Sequence, residues 1–284
     1  MKLDSMEKVR AWQELAGVLL KRYVERYYSF CKREWEMPHL EYQPLAPDDS
    51  NFPRASDDPP TDGYRVTVDA NETGTIARIQ ELAERIERGD YRAWFCHGLG
   101  TIWSEDHLYQ PLLYSDGPNP FAVSPAPLNK GERRFVEDLA AFIQAERAKG
   151  ESGMLADSEL YLLRNLSRGS GVGFFEAGNF HPDFIVWVKD AQGTQHMIFV
   201  DPKGVPQVPA DDPKVRFHET IKGLADRLGD PSIQLHSFII SQTPVYVVER
   251  MWSLKREEIE ERGVLFLEDD GYVRSMIARC LGAC

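Results

Sequence analysis

Two apolar runs separated by a polar turn dominate the hydrophobic pattern of this chain. Phe184-Ile185-Val186-Trp187-Val188 is followed by Lys189-Asp190-Ala191-Gln192-Gly193-Thr194-Gln195, and then by Met197-Ile198-Phe199-Val200. β-branched and aromatic residues on either side of a Gly-containing polar turn predict two paired strands, over residues 181–188 and 196–204. Charge intrudes on both. Asp183 stands at the head of the first, and Asp201 and Lys203 at the end of the second. Residues i and i+2 of a strand share a face, so Asp201 and Lys203 project side by side, and pairing brings Asp183 beside Asp201.

The pattern on either side extends this pair into a layered fold. Asn129-Lys130-Gly131-Glu132 opens a helix with Phe135, Val136, Leu139, Phe142 and Ile143 on one stripe, which Glu132 shares. A strand at residues 160–164 and a loop at 165–171 precede the two motif strands. After them, Asp211-Asp212-Pro213 is placed to cap a helix carrying Phe217, Ile221, Leu224 and Leu228, closed by Gly229, and residues 233–240 form a further strand. Helix, three strands, helix, strand is the order of an α/β core with a mixed sheet flanked by helices.

Ahead of this core the chain is mostly helical. Val9, Trp12, Leu15, Ala16, Leu19, Leu20, Tyr23, Val24 and Tyr27 recur at helical spacing, predicting an amphipathic helix from the Asp4–Glu7 start to about residue 33. Its aromatic stripe suits a core or a partner. Residues 44–63, rich in Pro and Asp, read as a long surface loop. Tyr64–Val68 alternates as a strand does, and Asn71 is expected to cap a helix bearing Ile76, Ile79, Ala83 and Ile86, closed by Gly89. Residues 91–114 are aromatic-rich and include His97 and His107. Residues 115–127 read as a linker, and 249–261 as a charged helical tail. The expected division is a helical and α+β docking region over 1–125, a core over 126–245 and a helical C-terminal extension over 246–284.

Composition narrows the setting. A chain of 284 residues with 42% hydrophobic content has ample material for a core. It contains no run of 18 apolar residues and its first residues lack a signal-peptide layout, so a cytoplasmic protein without membrane association is expected. Cys31, Cys96, Cys280 and Cys284 are too few and scattered for a disulfide framework, and Cys280 with Cys284 has no second pair for a zinc site. The net charge of −12 speaks against a chain that grips nucleic acid unaided. The negative charge is uneven, however. Residues 1–125 hold 14 Lys/Arg against 21 Asp/Glu, whereas residues 160–230 hold 8 against 9, so the motif lies in the near-neutral part.

Glu132, Asp183, Asp201 and Lys203 thus converge on one region of the sheet. Carboxylates are the ligands Mg²⁺ prefers, one or two at a time with waters and substrate phosphates completing the shell. Metal ions held there activate water and neutralise the leaving oxygen of a phosphodiester, while a lysine positions or deprotonates the water or stabilises the phosphorus centre. Each residue also has a plainer reading. Glu132 can be the N3 glutamate of a capping box led by Asn129, Asp183 a turn acid, and Asp201-Pro202-Lys203 a strand-exit turn with a surface ion pair. Their coincidence on three elements favours a site.

Asp183 followed by Asp201-Pro202-Lys203 one strand and turn later resembles the PD-(D/E)XK nuclease motif, with Glu132 in the position of the additional acid on the first core helix. The segments Leu128–Leu139, Leu162–Asn165, Gly173–Phe180 and His107–Leu113 are similar to the C-terminal region of type III restriction-subunit-like DEAD/DEAH helicases. The resemblance implies a restriction-endonuclease-like core and a Mg²⁺-dependent DNA endonuclease, with Mn²⁺ a possible substitute. It implies Asp183, Asp201 and Glu132 as metal ligands and Lys203 as the catalytic lysine, in a restriction or phage-defence setting. Unlike those relatives, this chain has no G-x-x-x-x-G-K-[ST] loop, so no nucleotide cofactor is expected and a separate helicase or ATPase would have to bring the DNA. Arg164 and Arg168 are candidate phosphate contacts, and His218 with Lys222 a further candidate pair on the next helix. Two alternatives stay open: a non-cleaving scaffold of nuclease fold that docks a helicase or DNA, and an RNA-directed nuclease of the same chemistry.

Overall fold

The computed structural model describes residues 64–282 apart from 91, 105–110, 118–120, 166–171, 175–179 and 206–207, together with residues 10, 13–14, 16–18, 20–21, 23–24, 27–28, 31 and 35. The expected helix start at Asp4–Glu7, the 44–63 loop, His107, Arg168 and Cys284 lie outside the described residues. The chain divides into two compact units, Met1–Leu45 and Ala46–Cys284. In the first, every described residue between 10 and 35 is helical, and Leu20, Tyr23, Val24 and Tyr27 of the expected stripe are exposed.

The described residues of the second unit begin with β1 (Arg65–Val68) and α1 (Thr73–Glu87). Asn71 does not cap this helix. Its side chain bonds Asp69, and Glu72 occupies the cap position without a side-chain bond. The buried residues of α1 are Thr75 and Leu82, and Ala83 is exposed, because the stripe facing the strands runs through 75, 79, 82 and 86. Strands β2 (Phe95–Cys96), β3 (Leu99–Ile102) and β4 (Leu112–Ser115) form a small antiparallel sheet. The stretch expected to be a linker is not one. Phe121–Ser124 is β5, paired with β1, and Leu128 exchanges backbone hydrogen bonds with Leu113 and Ser115, so the chain is held at 121–124 and again at Leu128. Its Pro and Gly content hid a short alternating strand, Phe121-Ala122-Val123.

The larger sheet is mixed and has five strands, flanked by helices on both faces. β6 (Glu159–Arg164), β7 (Phe184–Lys189) and β8 (Gln195–Lys203) are antiparallel neighbours, and β8, β9 (Ile233–Ser241) and β10 (Val264–Phe266) are parallel, in the order β10-β9-β8-β7-β6. The two long apolar runs are its central part, and Gly193, at φ 86°, closes their connection in a conformation that suits glycine. One face packs on α2 (Lys130–Arg147), through Phe135, Val136, Leu139 and Ile143 against Leu162, Phe184, Val186, Ile198 and Val200. The other packs on α3 (Phe217–Leu228), through Phe217, Ile221 and Leu224 against Leu163, Ile185 and Phe199. Alternation on β7 and β8 therefore serves both faces, as strands buried on both sides require.

Helix α3 starts later than its sequence signal. Asp212 accepts from the amide of Lys214 and opens a turn over 213–216 before the helix begins at Phe217, while Gly229 closes it in the left-handed conformation as expected. The C-terminal segment is not a helical appendage. After α4 (Val245–Trp252) and α5 (Arg256–Glu261), β10 adds an edge to the central sheet, and α6 (Tyr272–Leu281) joins α2 in the main core through Tyr272, Val273, Met276, Ile277 and Cys280. A three-residue apolar strand between charged helices leaves too short a pattern to read from sequence. Among the described residues, no helix is long and apolar enough to cross a membrane.

Candidate functional site

The ladder between β7 and β8 brings the first carboxylate pair together. Phe184 pairs with Val200, and the next residues out along this antiparallel register are Asp183 and Asp201. Asp183 sits in the bend just before β7, so that strand is shorter at its start than the apolar run suggested. The bend is held by Asn165, a buried residue at the end of β6. Its amide nitrogen Nδ2 donates to the carbonyls of Val172 and Pro182, its Oδ1 accepts from Val172, and its backbone N–H donates to the Asp183 carbonyl. Sequence reasoning missed Asn165. Its only signal was a polar residue directly after an apolar strand.

Asp201 is 5% exposed, and Lys203 Nζ donates to its Oδ2, as the shared strand face requires. The Lys203 ammonium also lies 5.2 Å from the centroid of the buried Phe180 ring. Burial, the Asp201 charge and a hydrogen bond to Asp201, with Glu132 adding to them, push the Asp183 carboxyl up to about 8, and Lys203 only partly opposes the shift. Two carboxylates at the end of one ladder, taken partly out of water, do not both ionise freely, so Asp183 holds a proton against its neighbour.

Glu132 approaches from the other side of the sheet. It is the N3 residue of α2 and makes both halves of a capping box: its carboxylate accepts from the Asn129 backbone N–H at 3.1 Å and from Asn129 Nδ2 at 2.6 Å, while Asn129 Oδ1 accepts from Glu132 N. Its remaining partner is Arg164 on β6, at 3.5 Å, which also donates to the Tyr64 hydroxyl. Burial raises the Glu132 carboxyl above its usual range, Arg164 and Asn129 pull it back, and Asp201 raises it. Cap and site are thus one residue: Glu132 caps α2 and lies within electrostatic reach of Asp201 and Asp183. It does not share ligand geometry with them. Among the described residues, no three His, Cys, Asp or Glu side chains form a group ready to hold a metal ion.

Of the other candidate residues, Arg164, His218 and Lys222 have partners away from the Asp183–Asp201 pair. Arg164 serves Glu132 and Tyr64. His218 Nδ1 donates to the Val215 carbonyl at 2.7 Å, and Lys222 acts on His236, so this pair looks along α3 and toward β9. Arg168 lies outside the described residues. His181, next to the bend, buries Nδ1 without a hydrogen-bond partner among the described residues, its ring packed where a side chain on Gly173 would go.

No protein-family model, curated protein or solved structure matches this chain.

The donor set suits a hard divalent cation. Asp183 and Asp201 offer adjacent carboxylate oxygens, which matches the one or two carboxylates by which Mg²⁺ is held beside substrate phosphates. Glu132 is near enough to add its charge but is committed to Asn129 and Arg164.

Proposed function

We propose that this chain is a metal-dependent endonuclease of the PD-(D/E)XK type, with a restriction-endonuclease-like core, that hydrolyses DNA delivered by a separate helicase or ATPase subunit. What carries the reading is the Asp183–Asp201 pair at the end of the β7–β8 ladder with Lys203 bonded to Asp201. Asp183 and Asp201 would hold Mg²⁺ or Mn²⁺, with Glu132 contributing charge. A bound cation would supply Lewis-acid stabilisation to the phosphoryl oxygens and lower the pKa of water.

The chain's own groups do the rest. Asp201 keeps the Lys203 ammonium fixed at the strand end, where it faces charge developing on the phosphorus oxygens or orients the attacking water. A cation held by Asp183 and Asp201 would favour the ionised form of Asp183, so its binding would be coupled to loss of the Asp183 proton. Asn165 fixes the bend that presents Asp183.

A second reading, a non-cleaving scaffold of the same fold, draws on the Arg164–Glu132 pair, which neutralises the third acid internally. Cleavage decides between them. Purified protein with Mg²⁺ or Mn²⁺ is expected to nick or cut DNA, with chelator abolishing the reaction, and Asp201→Ala or Lys203→Ala is expected to lose it with an unchanged circular dichroism spectrum. A wild-type chain that cuts neither DNA nor RNA, even with its helicase partner, is the scaffold. Preference for RNA would reassign the substrate.

A further inference from the structure

Phe180 carries two ammonium groups, and only one of them is accounted for by the carboxylates. Its ring is 1% exposed and packs edge-on against Phe217 at 5.7 Å. Lys203 Nζ lies 5.2 Å and Lys214 Nζ 5.8 Å from the ring centroid. Lys203 is paired with Asp201, whereas Lys214 makes no ion pair among the described residues. Its own turn contains acids, but Asp212 spends Oδ1 on the Lys214 backbone N–H at 2.9 Å.

Lys214 is also held in place. The backbone bond to Asp212 fixes it on one side, and on the other Val215 and Phe217 are buried in two separate apolar clusters. A lysine so anchored, resting on a buried ring, has lost part of the freedom that normally makes a surface ammonium a poor ligand. An aromatic face attracts the charge without neutralising it, so the group remains available to an anion.

We infer that Lys214 contacts a second phosphate of the substrate, next to the one handled by Asp183, Asp201 and Lys203. This rests on the nuclease reading and deepens it: the substrate class is a polynucleotide strand bearing consecutive phosphates, not a mononucleotide ester. A mononucleotide would occupy the carboxylate centre and leave Lys214 idle. A strand passing over Phe180 meets both amines.

The test is a salt titration of oligonucleotide binding, read by fluorescence anisotropy in an Asp201→Asn background so that nothing is cut. Lys214→Gln is expected to weaken binding alike across sequences and to reduce the slope of log K against log salt by about one. Lys214→Arg restores the slope. Lys189→Gln, which removes the same charge from the far end of β7, leaves it unchanged. An unchanged slope in Lys214→Gln, an equal loss in Lys189→Gln, or no binding by the parent overturns the inference. If the slope falls as expected while the wild-type chain cleaves nothing, the phosphate contact stands and the nuclease reading fails; if the wild-type chain cleaves and the slope does not move, the reverse holds.

Discussion

Asp183 stands opposite Asp201 where the β7–β8 ladder ends, one step beyond the Phe184–Val200 pair. Directly opposed like charges destabilise a sheet, and burial sharpens the penalty. A chain selected for stability alone would place an apolar or oppositely charged residue at one of the two positions. Here the cost is borne in part by a proton on Asp183 and in part by the Lys203 ammonium on Asp201. Packing does not explain the pair, and perturbed charges set against stability in this way cluster at functional sites.

That proton gives a pH signature. The Asp183 carboxyl is raised from an ordinary 3.8 to about 8 in the folded chain. The folded state keeps a proton that the unfolded state releases, so this group's contribution is fully present below the unfolded pKa and is lost as pH rises toward about 8. Asp183→Asn has no such proton to lose. The melting temperature of the variant should therefore fall less than that of wild type between about 4 and about 8, and exceed it at the alkaline end. Mg²⁺ should raise the wild-type value there and leave Asp183→Asn unaffected. Equal pH slopes for both proteins would show that the carboxylates are not coupled.

His236 produces the opposite limb. Burial, the neighbouring His196 and Lys222 hold its imidazole down at about 4, and the His196 ring, stacked at 5.6 Å and itself 3.3 Å from Asp190, closes the other side. The unfolded chain takes up a proton near 6.5 that the folded chain refuses. Stability is complete above that pKa and is lost as pH falls toward about 4. His236→Gln keeps an N–H donor for His196 and removes the titration. Thermal melts should show a shallower acid limb for the variant, and the same limb as wild type would clear His236 of the effect.

Much of this arrangement is legible in sequence, and the failures have physical causes. The β7–β8 hairpin announces itself because both strands are buried on both faces, so nearly every residue is apolar and Asp183, Asp201 and Lys203 stand out as exceptions. The apolar stripe of α2 and its Asn129 cap are equally visible, since helical spacing and capping chemistry are local. What escapes is nonlocal or short. Asn165 matters through the bend it clamps, and Arg164 through a carboxylate 32 residues away, so the role of neither can be read from its own neighbourhood. β5 and β10 have four and three residues, too few to show a period.

Gly131 tests how α2 is docked on the motif strand. The Gln242 side chain lies where a Cβ on Gly131 would be, and its Nε2 donates to the Pro202 carbonyl at 3.2 Å, between Asp201 and Lys203. Gly131→Ala must push this amide outward, and Gln242, being exposed, can move. The lost hydrogen bond costs about 0.5–1.5 kcal/mol and alanine in a helix returns about as much, so stability should change by less than about 1 kcal/mol. Cleavage, by contrast, should drop, because the backbone between the two motif residues loses its support. Denaturant unfolding and cleavage rates on the same preparation separate the two effects, and unchanged cleavage would mean Gln242 is packing alone.

The role of Glu132 turns on Arg164. As they stand, Arg164 and Asn129 stabilise the ionised carboxylate against its burial and against Asp201. Arg164→Met leaves a half-buried acid whose pKa rises further and frees the Tyr64 hydroxyl, at a cost of about 1–3 kcal/mol at neutral pH. Glu132→Gln in the same chain still accepts from Asn129 and needs no counter-ion, so it should recover most of that loss, and the double-mutant cycle measures the coupling. Cation affinity is the second axis. If Glu132 lends its charge to Asp183 and Asp201, Glu132→Gln weakens Mg²⁺ binding in calorimetry and Arg164→Met strengthens it. Should both variants bind Mg²⁺ as wild type does, Glu132 is a helix cap with a counter-ion, and the centre consists of the two aspartates and Lys203.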